Sequence, residues 1–246
     1  MPNGSSLAWR RTRVVTIRSR LPALALFLIG SKRAARLPPM QPFTLAPANL
    51  RRLAEAGSAL VFDCGDADLN DFLINDARHY TGELLTVTYL VVDGKEIAAF
   101  FSLLNDTLTC DPNPDHGTKT IWNRLSRRIP NEKRRTSYPA VKLGRLGVAS
   151  QYQRCGLGSD ILDLLKMSFV CYNKTGCRFI TVDAYNNPEA IDFYQRNEFD
   201  FLTLGDKNDD TRQMYYDLKP FYLLNATSGQ QLSEAAGSVL QNVPSF

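Results

Sequence analysis

A glycine-containing loop between a strand pattern and an amphipathic helix pattern is the clearest candidate for chemistry. The loop is residues 153–159, Gln-Arg-Cys-Gly-Leu-Gly-Ser, and the flanking patterns predict a strand over 140–149 and a helix over 156–172. The start of a helix attracts anions, because its first N–H groups lack intrahelical partners and lie at the positive end of the helix dipole. Gly156 and Gly158 would let the backbone approach a pyrophosphate closely. The spacing is neither a P-loop nor a G-x-G-x-x-G pattern, so a plain strand-to-helix turn is the alternative.

A second candidate segment is residues 187–194, Asn-Pro-Glu-Ala-Ile-Asp-Phe-Tyr. Proline is favoured in the first turn of a helix, which predicts a helix from Pro188 to about Arg196. The hydroxyl of Tyr194 is a candidate general acid, with aromatic core packing as the alternative interpretation. Cys155 has no histidine near it in sequence, which disfavours a nucleophilic role for its thiol.

Together these segments resemble the GNAT superfamily of acetyltransferases. The first family motif is a strand followed by Arg or Gln, two variable residues, Gly, one variable residue, Gly or Ala, and a helix. Gln153, Gly156 and Gly158 occupy its defined positions. Residues 187–194 are similar to the family segment that begins with Asn and ends with Phe-Tyr, and Phe199 is similar to the aromatic residue that starts the next strand.

The resemblance covers residues 43–218 and implies an α/β fold, the GNAT fold, in which a mixed central sheet is splayed between its fourth and fifth strands and flanked by helices. It implies acetyl-CoA as co-substrate and no metal. The pantetheine arm would lie in a gap between strands 143–149 and 178–184, and Tyr194 would protonate the departing thiolate. The implied coenzyme-binding residues are Leu146, Gly147, Val148, Gln153, Arg154, Cys155, Gly156, Leu157, Gly158, Ser159 and Asn187.

One position departs from the family pattern. Glu198 stands where the family usually has Gly before the aromatic residue. Asparagine tolerates the left-handed conformation that often ends a helix. We therefore predict that Asn197 takes this conformation in place of the missing glycine.

Residues 62–73 and 142–146 are similar to segments of one GNAT subgroup, the toxins of toxin–antitoxin pairs, which acetylate the α-amine of aminoacyl-tRNA. Basic residues guide the tRNA in that subgroup. The substrate contacts implied here are Arg145, Arg124, Arg127, Arg128, Arg134 and Arg135. The resemblance also implies an antitoxin protein as a partner, and a homodimer is a further partner prediction.

Two other functions stay open from the sequence: a GNAT enzyme that acetylates a small-molecule or protein amine, and a catalytically idle acetyl-CoA-binding module. The basic run 124–135 suits RNA phosphates but equally suits a solvated surface loop. No general base is evident, because His79 and His116 are the only histidines and both are expected to be surface or packing residues. The α-amine of an aminoacyl ester is less basic than a lysine, and would need none.

The rest of the chain predicts the elements that position these residues. Asp93 and Gly94 separate two runs rich in β-branched and aromatic residues, which predicts a hairpin. Further strands are predicted at 43–45, 84–92, 96–108, 178–184, 199–204 and 212–218, and further helices at 50–56 and 67–80.

Composition is that of an ordinary globular protein, with 246 residues, 44% apolar and 22% charged, so one well-packed domain is expected. The net charge of +4 is uneven, because the first 50 residues hold eight Arg and Lys residues and no acidic residue. The rest of the chain is therefore slightly acidic, and attraction to a polyanion must come from local patches. Five cysteines without a C-x-x-C pair favour neither a disulfide framework nor a zinc site, and predict a reducing, cytoplasmic location.

The chain ends differ from its middle. Residues 1–39 are basic around an apolar run at 21–29, which is too short to span a bilayer because a spanning helix needs about 20 residues. Over-extension of the start, a targeting segment and a disordered basic arm are the alternatives, and no membrane partner is predicted. The predicted domain is 40–222, and 223–246 is predicted to be a tail.

Overall fold

Seven strands of the described residues form one mixed sheet. The computed structural model describes residues 43–57, 60–109, 137–171, 173, 175–203 and 205–227. The strands are Leu50–Arg52 (β1), Val87–Asp93 (β2), Glu96–Thr109 (β3), Ser137–Val148 (β4), Phe179–Tyr185 (β5), Asp200–Phe201 (β6) and Thr211–Asp217 (β7). Their order across the sheet is β1-β2-β3-β4-β5-β7-β6.

The sheet opens between β4 and β5, its parallel pair. Pairing between them is limited to Ala140 with Phe179, Val141 with Ile180 and Lys142 with Thr181. Beyond these pairs β4 continues to Val148 along β3, and β5 continues to Tyr185 along β7. The two strands therefore diverge, which confirms the splayed sheet predicted from the family resemblance.

A bulge at Gly144 marks the start of this divergence. Ser102 of β3 pairs with Arg145 and Leu103 pairs with Leu143, so Gly144 is the extra residue on β4. A side chain at Gly144 would place its Cβ 2.8 Å from Leu104 Cδ2. Glycine therefore lets β3 and β4 stay paired on both sides of the bulge.

Helices cover the sheet. Ala67–Asp71 (α1) continues through a π-helical segment, Phe72–Asp76, into Ala77–Gly82 (α2). The other α-helices of the described residues are Leu157–Cys171 (α3), Pro188–Arg196 (α4) and Leu218–Thr227 (α5). None of the described helices is long and apolar enough to cross a membrane.

Neighbouring residues at the end of β4 define the two faces of the sheet. A Cβ at Gly147 would lie 3.3 Å from the ring of Phe62 and even closer to that of Phe100, on the face covered by α1 and α2. Val148 points the other way, since its Cγ2 would lie 3.9 Å from a Cβ at Gly158 on α3. Successive side chains alternate along a strand, so the glycine loop and the α1 helix lie on opposite faces.

Most predicted elements are confirmed. The helix predicted at 67–80 is observed from Ala67 to Gly82, with Leu73 and Ala77 fully buried, and the hairpin turns at Gly94. The helix predicted from Pro188 to Arg196 has these bounds. The strand predicted at 199–204 is shorter, since β6 pairs with β7 through two residues only.

The strand predicted at 43–45 and the helix predicted at 50–56 are wrong. Residues 43–46 have no regular structure, while Leu50–Arg52 is β1 and Leu53–Glu55 is a single 3₁₀ turn. Leu50 and Leu53 are the buried residues of this stretch, and their spacing of three suits a helix as well as a strand followed by a turn. Residues 50–52 form a strand because they pair with β2.

At the C-terminal end, α5 extends to Thr227, past the predicted domain boundary at residue 222. The predicted tail beyond it and the predicted N-terminal extension lie outside the described residues. These boundaries stay predictions.

Candidate active site

The glycine loop presents a row of unpaired backbone N–H groups at the start of α3. Arg154 and Gly156 have φ angles of 59° and 96°, and these two left-handed residues turn the chain into the helix. The first helical bond is from Asp160 N to Gly156 O, and the amides of residues 155–159 have no acceptor among the described residues. Unpaired amides at the positive end of a helix attract anions, so these N–H groups are candidates for binding one.

The shape of the loop depends on the side chain of Gln153. Its Nε2 donates to Val148 O at 2.9 Å and to Cys64 O at 2.7 Å. The amide group therefore ties the loop to the end of β4 and to the segment before α1, and its donors are used within the protein. The Cys155 thiol likewise donates to Tyr152 O at 2.7 Å.

A second brace joins the loop to the β2–β3 hairpin. The hydroxyl of Tyr152 lies 3.0 Å from Asp93 Oδ2 and 3.2 Å from Glu96 Oε2. Burial of the phenol, together with its bonds to the two carboxylates, raises the pKa of Tyr152 to about 12. No local sequence pattern marks Tyr152, because its partners lie more than 50 positions away in the chain.

The other residues predicted at the coenzyme site are placed as follows. Leu146, Gly147 and Val148 are on β4 beyond its last pair with β5. Leu157 is buried, Gly158 and Ser159 are half-buried, and the side chain of Arg154 is exposed. Asn187 Oδ1 accepts from Ala190 N at 2.8 Å, so this side chain caps the start of α4.

Tyr194 lies on α4, buried at 9% exposure between two aromatic rings. Its ring centroid is 5.0 Å from that of Phe193 and 5.5 Å from that of Phe199. Burial raises the pKa of Tyr194, so the phenol stays protonated at physiological pH. Its hydroxyl has no hydrogen-bond partner among the described residues, which leaves it available to a ligand.

The helix that carries Tyr194 does not end as predicted. Asn197 has an ordinary φ of −93°, and Glu198 itself takes the left-handed conformation, with φ of 69°. The prediction for Asn197 is therefore wrong. The Glu198 carboxylate is exposed and lies 3.9 Å from Nζ of Lys166, a buried cation on α3 whose nearer partner is Asp163 at 3.1 Å.

The face opposite to the glycine loop carries charged side chains along the gap. Lys142 Nζ lies 2.5 Å from Asp183 Oδ2, where β4 and β5 begin to diverge. Farther along β4, Arg145 Nη2 lies 3.8 Å from Asp68 Oδ2 on α1. Thr181 donates to the Asp106 carboxylate. An acceptor approaching the gap from this face would meet these side chains first.

A cleft of about 370 Å³ opens beside Asp183 on this face. Its lining includes three carboxylates, those of Asp183, Asp206 and Asp209. Asp206 accepts from Arg212 Nε at 2.7 Å, so part of this negative charge is neutralised. In the described part of the chain, no three His, Cys, Asp or Glu side chains are placed so that they could hold a metal ion together.

Of the two histidines, only His79 lies within the described residues. His79 is exposed in the last turn of α2. His116 and the predicted substrate contacts Arg124, Arg127, Arg128, Arg134 and Arg135 lie outside the described residues.

Comparison with known proteins assigns this chain to a family. Residues 62–199 match the sequence model of the Acetyltransferase (GNAT) family, which is more than half of the chain. The chain belongs to this family, and is therefore an N-acetyltransferase of a family whose acyl donor is acetyl-CoA.

Solved structures of similar fold include bacterial toxins. A tyrosine-to-phenylalanine mutant of KacT is 20% identical, with a TM-score of 0.56, over 72% of this chain and 98% of that one. AtaT complexed with acetyl-methionyl-tRNAfMet is also 20% identical, with a TM-score of 0.56, over 71% and 97%. AtaTR bound with acetyl-CoA has a TM-score of 0.51 at 20% identity, over 71% and 96%. At this level of sequence identity, the similarity shows a shared fold alone.

Proposed function

We propose that this enzyme transfers the acetyl group of acetyl-CoA to the α-amine of aminoacyl-tRNA and acts as the toxin of a toxin–antitoxin pair. The observation that carries the acetyl transfer is the row of unpaired amides at 155–159, next to the gap between β4 and β5. The pyrophosphate of the coenzyme fits the unpaired amides, and its extended pantetheine arm fits the gap. Nothing lies within 4 Å of the Cβ position at Gly156, so a phosphate can approach the backbone there.

The chain's own groups would act on the acetyl thioester from both sides of the gap. Backbone N–H groups of β4 that face the gap donate to the carbonyl oxygen as negative charge develops on it. The amine attacks from the face of the sheet that carries Arg145. A C–N bond forms and the C–S bond breaks. The amine loses one proton and the departing thiolate gains one.

Tyr194 is the proposed donor to the sulfur. A thiol has an ordinary pKa of about 8.5 and a tyrosine one of about 10, and burial raises that of Tyr194 further. Complete proton transfer to the thiolate is therefore uphill, and the phenol stabilises the sulfur by a hydrogen bond as the C–S bond breaks. Solvent then supplies the proton.

Three observations favour aminoacyl-tRNA as the acceptor. Residues 62–73 resemble the toxin subgroup, AtaT has the same fold and is known with an acetylated Met-tRNA, and Arg145 lies half-exposed at the gap. An α-amine has a pKa near 8, so a useful fraction is neutral at pH 7 and no general base is required. An antitoxin partner, a homodimer and a cytoplasmic location belong to this proposal.

A small or protein-borne amine is the second candidate, and the acidic cleft favours it. Asp183 and Asp206 have cationic partners in Lys142 and Arg212, while Asp209 has none among the described residues. The cleft lining thus keeps a negative excess that suits an ammonium group.

Acetyl transfer from radiolabelled acetyl-CoA separates the two candidates. Charged tRNA, the same tRNA after deacylation, spermidine and a lysine-containing peptide serve as acceptors. Label on charged tRNA alone is the expected result. Label on spermidine or the peptide, with none on charged tRNA, would refute the tRNA proposal and favour the second candidate.

A further inference from the structure

One carboxylate oxygen contacts residues on both sides of the gap. It lies on the face opposite to the glycine loop, from which the acceptor is proposed to approach. Asp68 Oδ2 lies 3.2 Å from the hydroxyl of Tyr185, which donates to it, and 3.8 Å from Arg145 Nη2. Tyr185 is the last residue of β5, and Arg145 is on β4 beyond its last pair with β5. Asp68 on α1 therefore connects the two diverging strands at the point where an acceptor must enter.

Arg145 does not depend on Asp68 for its position. Its guanidinium carbon lies 5.2 Å from the centroid of the Phe72 ring, and Nη1 donates to Gly144 O at 3.1 Å. The Nε atom is buried and has no hydrogen-bond acceptor. A guanidinium has five N–H donors; with Nε buried and one Nη1 hydrogen bonded to Gly144, the three other N–H groups on the Nη atoms are left for a ligand.

The contact between Arg145 and Asp68 is weak. At 3.8 Å it is an ion pair without a hydrogen bond, and the two side chains are 42% and 64% exposed. Exposed pairs of this kind contribute little in water. A phosphate or carboxylate that engages the guanidinium through two parallel N–H bonds interacts more strongly, and would replace Asp68.

Lys142 is less suited to this role. It is the other cation on this stretch of β4, but its Nζ lies 2.5 Å from Asp183 and its side chain is only 24% exposed. Of these two β4 cations, Arg145 is therefore the one that is both accessible and loosely paired.

We propose that Arg145 binds an oxyanion carried by the acceptor close to its amine, and that Asp68 occupies Arg145 until the acceptor displaces it. The hydrogen bond from Tyr185 holds the Asp68 carboxylate at the rim after displacement. This inference rests on the proposed function only in that acetyl transfer occurs across the gap. A tRNA phosphate and the carboxylate of a small amine are the two sources of such an oxyanion.

Binding tests the proposal independently of catalysis. The dissociation constant of fluorescently labelled, deacylated tRNA is measured by anisotropy at fixed ionic strength for wild type, Asp68→Asn and Asp71→Asn. Asp71 is on the same helix and contacts Asn75, so its replacement controls for the loss of one negative charge. We expect Asp68→Asn to tighten binding about two- to fivefold beyond the control, which is the range of an exposed ion pair.

A double-mutant comparison makes the test specific to Arg145. In an Arg145→Met background the Asp68→Asn effect should disappear, because no guanidinium remains to be released. Equal effects of Asp68→Asn and Asp71→Asn, or an Asp68→Asn effect that persists without Arg145, would overturn a tRNA phosphate as the ligand.

The second arm measures KM for acetyl transfer to glycylglycine, which carries a carboxylate, and to spermidine, which carries no oxyanion. A two- to fivefold lower KM of Asp68→Asn for glycylglycine that is absent in the Arg145→Met background, with no decrease for spermidine, would assign the site to a carboxylate. The proposal fails if neither arm shows the Arg145-dependent change. Tight, Asp68-sensitive binding of tRNA without acetylation of charged tRNA would refute the proposed acceptor and leave the oxyanion site in place.

Discussion

Gly158, in the first turn of α3, packs directly against the ring of Phe193 on α4. A Cβ at Gly158 would lie 3.2 Å from both Cε2 and Cζ of that ring. Phe193 precedes Tyr194, the proposed hydrogen-bond donor to sulfur. The loop proposed to bind the coenzyme and the helix that carries the tyrosine are therefore in contact, and a small residue is needed where they meet.

Two alanine substitutions in the loop should have different effects. Gly158→Ala keeps an allowed helical backbone but pushes Phe193 by a few tenths of an ångström, so we expect kcat to fall about tenfold through misplacement of Tyr194. Gly156→Ala meets no neighbouring atom, but its φ of 96° disfavours a side chain, so the loop should relax and the Kd of acetyl-CoA should rise about tenfold. Calorimetry with acetyl-CoA and steady-state kinetics measure the two effects. The same change of Kd in both variants would contradict this separation.

Gln153→Ala should weaken coenzyme binding although its amide group is already bonded within the protein. Removing Nε2 leaves the carbonyls of Val148 and Cys64 without this donor and frees the loop from β4. A loss of one to two such bonds is worth about 1–2 kcal/mol, which corresponds to a rise of about five- to thirtyfold in the Kd of acetyl-CoA. Gln151→Ala is the control, because Gln151 bonds only to the exposed Glu96. An unchanged Kd for Gln153→Ala would show that the loop keeps its shape without this brace.

Local patterns predicted the elements of this fold better than they predicted side-chain roles. The bounds of α4 follow from Asn187 as a cap and Pro188 in the first turn, both of which act within a few residues. β1 was missed because its partner, β2, is about 40 residues away. The role of Gln153 as a brace depends on a carbonyl 89 positions earlier in the chain. Contacts of this range leave no periodic pattern in the sequence.

The family resemblance supplied what local patterns could not. It predicted the gap between β4 and β5, which no local pattern indicated. It misled at the end of α4, where Asn197 was the expected left-handed residue. The left-handed residue is Glu198, one position later, which the family pattern would fill with glycine.

Tyr194→Phe should lower kcat by about 10²-fold, a typical loss when one hydrogen-bond donor to a developing negative charge is removed. The affinity for acetyl-CoA and the stability should change little, because the hydroxyl has no partner among the described residues. Tyr216→Phe is a matched control, since Tyr216 is another buried tyrosine, packed against Phe199 and Lys166. Equal turnover of Tyr194→Phe and wild type would exclude the phenol from the reaction.

Glycine and alanine at position 198 should differ in stability. Both substitutions remove the carboxylate near Lys166, but only glycine adopts a φ of 69° without strain. We therefore expect Glu198→Gly to be more stable than Glu198→Ala by about 1–2 kcal/mol in urea unfolding. At position 197, where φ is −93°, the order should reverse, with Asn197→Ala at least as stable as Asn197→Gly. Equal stability of the two position-198 variants would show that the left-handed backbone is not maintained.

The brace at Tyr152 predicts a specific loss of stability in alkali. Its folded-state pKa of about 12 exceeds the ordinary value of about 10, so the unfolded chain releases this proton at a lower pH than the native protein does. The stabilisation is complete below pH 10 and declines as the pH rises toward 12. At pH 7, Tyr152→Phe should lower the free energy of unfolding by about 1–2 kcal/mol, through loss of the bonds to Asp93 and Glu96.

That difference between wild type and Tyr152→Phe should shrink as the pH rises from 10 to 12. Burial also raises the pKa of Tyr194 and of Tyr216, but these residues are common to both proteins, so their effects cancel in the comparison. Urea unfolding of the two proteins at pH 7, 9, 10 and 11 measures the difference directly. A difference that stays constant up to pH 11 and beyond would mean that the Tyr152 hydroxyl is not held by the two carboxylates.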